Sequence, residues 1–346
     1  MTPAEPAIRA LIVASSSRES DRLGELLGRD GDIVVLEAAS TSTEAVEIVA
    51  RSAPDVVILD LRPGDDGTHQ AIEQIMARTP TPILLLARHE RFDRDSRTVV
   101  EAFVAGAADV LPTRIGQNAE FGAEFRRAVR QIHRIKVIRH PRGNLNGAPG
   151  HNHDRHPEQR PVVAIAASTG GPAALATLLA GLAGLPAPVL IVQHLHPEFT
   201  GRLVEWMSRV SPLPVTTAEH QQIPRAGCVY VAPGQLHLRL GAGFRLELDP
   251  EPAGTHRPSA DQLFESVADR AGAAAVGVLL TGIGDDGARG LLAIRRHGGQ
   301  TLAQDKASCA VFGMPQAALR LGAVTGLMPL TMLPAAIQHA VRRIRT

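Results

Sequence analysis

The chain has 346 residues and a formal net charge of +1, which excludes an electrostatic case for nucleic acid or an acidic membrane surface as partner. That length favours two domains, each large enough to bury a core without disulfides or metal ions. Cys228 and Cys309 share no metal-ligand spacing, no apolar run is long enough to span a bilayer, and Met1 to Pro6 carries no leader pattern, so a cytoplasmic protein in a reducing compartment is expected.

Residues 7–139 read as a first α/β domain. Ile8–Val13, Ile33–Glu37, Val56–Asp60, Ile83–Leu86 and Asp109–Leu111 are short apolar strand signals, and amphipathic stretches such as Ser42–Arg51 and Gly67–Ala77 lie between them. Such alternation implies right-handed crossovers and a doubly wound, five-stranded parallel sheet. From 140 to 160 the apolar pattern collapses into Pro141, Gly143, Asn144, Gly147, Pro149 and Gly150 among His and Arg, which reads as an exposed linker. His151, His153 and His156 within it sit in a segment too polar to fold around an ion, so no metal site is assigned. Strand and helix signals resume over 161–346 and end in an amphipathic helix from Leu333 to Arg343, giving a second doubly wound domain with a mostly parallel sheet.

Three polar residues stand just beyond apolar strands of this second domain. Ser168 follows Val162–Ala167 and precedes Thr169-Gly170-Gly171-Pro172; His194 follows Val189–Gln193; Asp286 lies beyond Val276–Thr281. In an open parallel sheet that edge is where ligands bind. A serine hydroxyl needs a base within hydrogen-bond reach, an imidazole supplies one near neutral pH, and a carboxylate fixes the imidazole tautomer. Backbone N–H groups of Thr169 and of the Gly282-Ile283-Gly284 loop are candidates for an oxyanion hole.

Each residue has a plainer account. Ser168 reads equally as the N-cap of a helix starting at Pro172, His194 as a polar strand-end residue beside His196, and Asp285 and Asp286 as capping acids for a helix over Ala288–Arg296. Only their joint occurrence favours catalysis. Gly282 to Gly287 also fits a dinucleotide fingerprint, with Asp305 near the ribose-binding distance. Two carboxylates inside a loop that must cradle a pyrophosphate argue against it, so no cofactor is expected.

The blocks Ile165–Gly171, Gln193-His194, Val231–Gly234, His256–Ser259, Thr281–Gly287 and Ala307–Pro315 resemble the chemotaxis protein-glutamate methylesterases of the CheB type, from Val162 to about Leu327. The resemblance implies a serine esterase that removes γ-methyl esters from glutamates on chemoreceptor cytoplasmic helices, a family whose members often also deamidate receptor glutamines. It implies Ser168 as nucleophile, His194 as base and Asp286, rather than Asp285, as orienter, with Ile283 standing where the family usually has methionine. His256 is placed to line the substrate cleft, while Ser259 in the same block reads as a helix cap.

Residues 7–120 resemble a response-regulator receiver domain, with Asp60 at the phospho-acceptor position. Ala14 and Ser15 stand where receivers carry their acidic pair, Ala87 replaces the hydroxyl residue, Thr113 replaces the lysine, and Leu61–Gly67 is a short loop. No lysine occurs before Lys136. A single carboxylate is a poor Mg²⁺ site, so a receiver-like domain without phosphotransfer is expected, open to docking by a histidine kinase or other signalling protein. The rivals are a non-catalytic scaffold built from the same two halves and a nucleotide-binding oxidoreductase.

Overall fold

The computed structural model describes residues 6–14, 16–61, 67–88, 99, 101–103, 105–113, 119–134, 160–250 and 256–345. Two compact units divide the chain, Met1–Pro141 and Arg142–Thr346.

In the first unit β1 (Ile8–Val13), α1 (Ser17–Gly28), β2 (Ile33–Ala39), α2 (Ser42–Ser52), β3 (Val56–Asp60), α3 (Gly67–Arg78), β4 (Ile83–Arg88), β5 (Asp109–Thr113) and α4 (Ala119–Ile132) follow in chain order. The strands form one parallel sheet in the order β2-β1-β3-β4-β5, a doubly wound arrangement. Every residue of β3 is buried, as expected of a central strand covered on both faces. Strands β2, β4 and β5 each run two residues past their apolar signal, because the ladder continues through backbone pairs such as Ala87 with Pro112 and Arg88 with Thr113. Ser16 and Thr41 cap α1 and α2 by accepting the amides of Glu19 and Glu44 at 3.3 and 3.1 Å. Arg126 and Arg130 of α4 reach the loop before β2, where their guanidinium groups pair with Asp30 and Asp32.

The second unit runs β6 (Val162–Ala167), α5 (Gly171–Ala180), β7 (Val189–Gln193), α6 (Pro197–Val210), β8 (Val215–Thr217), β9 (Val229–Val231), β10 (His237–Leu240), β11 (Leu246–Asp249), α7 (Ala260–Ala271), β12 (Ala275–Leu279), α8 (Ala288–Arg296), β13 (Gln300–Gln304), α9 (Met314–Arg320), β14 (Gly326–Met328) and α10 (Leu333–Arg345). Seven parallel strands pair in the order β14-β13-β12-β6-β7-β9-β8, and β10 and β11 form a separate antiparallel pair. Strand β6 shows why the sheet is buried on both faces. Val162, Ala164 and Ala166 pack into one apolar cluster with Leu263, Phe264 and Leu291, while Val163, Ile165 and Ala167 pack into another with Leu175, Leu203 and Ile337. The chain leaves β6 toward β7 on one side and returns through β12 on the other. That reversal makes the C-terminal ends of β7, β6 and β12 the crevice at which such sheets bind ligands.

Candidate active site

Ser168, His194 and the loop carrying Asp286 all emerge from that crevice edge. The last rungs of the ladder hold them side by side: Ser168 N–H donates to Thr281 O at 3.0 Å and His194 N–H donates to Ala167 O at 2.9 Å. Ser168 is half-buried at the strand end, and Gly170, with φ of 75°, is the N-cap of α5. Ser168 is therefore not the helix cap. Its hydroxyl makes no hydrogen bond among the described residues. Glycine at 282 is required by contact, because a Cβ there would stand 2.8 Å from Ser168 Cβ and nearer still to Met314 Sδ.

Asp286 is 8% exposed and fully engaged. Oδ2 accepts His194 Nε2–H at 2.8 Å and the Ala260 amide at 2.8 Å; Oδ1 accepts the Ser259 hydroxyl and the Asp261 amide, each at 3.0 Å. The capping role anticipated for this acid thus falls on a different helix. Asp286 sits at the N-terminus of α7, whereas α8, which follows it in sequence, is capped by Gly287 with no side-chain bond. Asp261 returns the arrangement by accepting the Gly290 amide at 2.8 Å near the start of α8. Burial alone raises a carboxyl pKa, but the His194 bond and charge and the amides of Asp261 and Ala260 outweigh it, holding Asp286 well below the usual range. Asp285 is exposed and outside this network.

With Nε2–H committed to a carboxylate, the lone pair of His194 is on Nδ1, a buried atom with no partner among the described residues. The His256 ring stacks on His194 with centroids 4.8 Å apart and planes 14° from parallel. Burial, and then the His194 ring, hold the His256 imidazole below its ordinary pKa, against the opposing pull of Asp286, Asp285 and Asp261. Ser259 is the N-cap of α7 as well as a donor to Asp286.

The amides of Thr169 and Ile283 donate to no acceptor among the described residues. Their loops are fastened from below. Thr281 Oγ1 donates to Thr169 O at 2.9 Å and accepts the Val311 amide at 2.9 Å, and the Thr281 amide donates to Gln304 Oε1 at 2.9 Å. A Cβ on Gly313 would stand 2.6 Å from Gly282 O, so the 282–284 loop rests directly on that glycine. Ser259, Thr281, Gln193 and Gln304 were not individually legible as site residues. The one available signal was a polar side chain ending an otherwise apolar strand, as at Gln193 and Gln304.

In the first unit Asp60 ends β3 and is buried. Around it, Ala14 and Ala87 are buried apolar residues, and Thr113 Oγ1 donates to Ala87 O at 3.4 Å. Ser15, the loop 62–66, and His151, His153 and His156 lie outside the described residues. Alanine at 14 and 87 offers no side-chain ligand to a Mg²⁺ ion beside Asp60. Among the described residues no group of His, Cys, Asp and Glu is placed to hold a metal, and no helix is long and apolar enough to cross a membrane.

A family model for CheB methylesterase matches residues 163–337. A protein-glutamate methylesterase/protein-glutamine glutaminase of Anaeromyxobacter dehalogenans is 39% identical over 341 residues, 97% of either chain. Protein-glutamate methylesterase FrzG of Myxococcus xanthus is 37% identical over 348 residues, covering 97% of this chain and 99% of its own. The crystal structure of the Thermotoga maritima CheB methylesterase catalytic domain matches 52% of this chain and 97% of its own, with 34% identity and a TM-score of 0.50. The alignments with the two relatives span both units, and the family model falls on the unit that holds the His194–Asp286 pair: the chain belongs to the CheB methylesterase family.

Proposed function

We propose that the chain is a serine esterase that hydrolyses glutamate γ-methyl esters on the cytoplasmic helices of a methyl-accepting chemoreceptor. The bond from His194 Nε2 to the buried, strongly acidic Asp286 carries this reading. It orients the imidazole so that Nδ1, rather than Nε2, serves as base.

In the first half-reaction Ser168 Oγ attacks the ester carbonyl and its proton passes to His194 Nδ1. The imidazolium formed is stabilised by Asp286. Thr169 and Ile283 amides stabilise the oxyanion, each worth about 3–4 kcal/mol of barrier in comparable sites. Methanol leaves with the proton from Nδ1. Water then attacks the glutamyl-serine ester through the same base, releasing glutamate and free Ser168. His256, stacked on His194, walls one side of the cleft. No step requires a metal or organic cofactor. The relatives' names support a second activity on glutamine side chains, which uses the same acyl-enzyme and releases ammonia in place of methanol.

The receiver-like unit takes no part in Mg²⁺-dependent phosphotransfer, a reading supported by Ala14, Ala87 and Thr113 around Asp60. Its role is then that of a fixed cover, a docking module for a signalling protein or a partner-operated gate. The deciding experiment is incubation of the full chain with a methylated chemoreceptor cytoplasmic fragment. Methanol release that disappears in Ser168→Ala is expected; equal release from both proteins would restore the scaffold alternative.

A further inference from the structure

Gln193 ends β7 and is 4% exposed. Its Nε2 donates to Ser168 O and to His194 O, at 2.9 Å each. One amide group therefore joins the backbones of the residues read above as nucleophile and base. The position matters because the sheet's own pairing stops just short of it. The last rung between these strands is His194 N–H to Ala167 O, and beyond it the two turns diverge toward α5 and α6. The Gln193 carboxamide extends the lateral connection one step past the ladder.

The other end of the carboxamide explains a neighbouring glycine. Oε1 is buried with no hydrogen-bond partner among the described residues, and a Cβ on Gly171 would stand 2.0 Å from it. An unpaired buried amide oxygen is unfavourable, and leucine or methionine would fill a similar volume without one. What the glutamine contributes, and they do not, is the pair of N–H bonds.

We infer that Gln193 is a positioning residue that sets the placement of Ser168 relative to His194 through these two bonds, while touching neither substrate nor reacting atoms. The inference rests on the proposed assignment of those two residues. It predicts loss of turnover with little loss of substrate affinity, since a small misplacement of reacting groups costs about 100-fold in rate.

The test uses the full chain and the variants Gln193→Leu and isosteric Gln193→Glu. A fluorophosphonate probe reports on Ser168 without the receptor: a serine Oγ–P bond forms, fluoride leaves and the proton goes to His194. Labelling and kcat for methanol release are expected to fall about 10- to 100-fold in both variants, with KM within about 2-fold. A protonated carboxyl regains one O–H donor. The Gln193→Glu rate relative to wild type therefore rises as pH falls, whereas the Gln193→Leu ratio stays flat. The isosteric variant carries the test if the leucine variant does not fold. Labelling of Gln193→Glu at the wild-type rate, or a deficit that is constant from about pH 5 to about pH 8, overturns the inference. A wild type that labels at Ser168 but releases no methanol overturns the substrate reading instead, and the labelling ratios still decide on Gln193.

Discussion

Two parallel sheets in this chain present the same kind of edge and put different chemistry on it. In the second unit the residues beyond the strands are Ser168, His194 and the Thr281–Asp286 loop, and their side chains or backbones are bonded into one network. In the first unit the corresponding edge carries Ala14, buried Asp60, Ala87 and Thr113. The scaffold is equally well built in both, with fully buried central strands at β3 and β6. Topology supplies a place for a site, and the few residues just past each strand decide whether one is there.

Removing the nucleophile erases the contrast most completely. Ser168→Ala should lower methanol release by about 10⁴- to 10⁶-fold with an unchanged melting temperature, as judged by turnover and thermal denaturation. Asp286→Asn should cost about 10²- to 10⁴-fold in kcat. Unlike Ser168→Ala, it should also lower the melting temperature, because three donors besides His194 lose a charged acceptor. On the first unit, a small phosphodonor with Mg²⁺ should leave Asp60 unmodified by mass spectrometry and change esterase turnover by less than about 2-fold; a stable adduct would collapse the distinction between the two edges.

The smallest effect is a pair of opposed acid responses. Asp286 has a folded pKa below its unfolded value, so its stabilisation is complete above about pH 5 and fades as pH falls through the carboxylate range. Asp109 at the start of β5 is pushed up to about 6 by burial, against the Val110 amide. The sign is reversed there: its contribution is complete below about pH 4 and is lost as pH rises through 6. Hydrogen exchange of β5 amides should therefore quicken from pH 4 to 6 once corrected for intrinsic rates, and Asp109→Asn should remove that slope. The α7 amides should quicken only in stronger acid.

Much of this was legible in the residues. Short apolar runs bounded by turn residues, such as Val162–Ala167 before Thr169-Gly170-Gly171-Pro172, disclose buried strands, and the parallel-sheet rule then places Ser168, His194 and Asp286 at one edge. Strands of three residues, Val215–Thr217 and Val229–Val231, are too short to show a period. Local capping rules misplaced two residues for the same reason. They look one turn along the chain, whereas Asp286 serves a helix whose first residue is Ala260 and Ser168 yields the cap of α5 to a left-handed Gly170. Gln193 was visible as the polar end of an apolar strand but not as a link between two turns, since its bond to Ser168 O crosses to a different strand end.

The Asp286 carboxylate has no spare oxygen lone-pair geometry to trade, since it terminates α7 and steadies an imidazole at once. A lineage that drifted away from catalysis could therefore not shed this acid as freely as it could shed the serine. In any inactive descendant, the carboxylate should outlast the hydroxyl, kept by its architecture after the chemistry has gone.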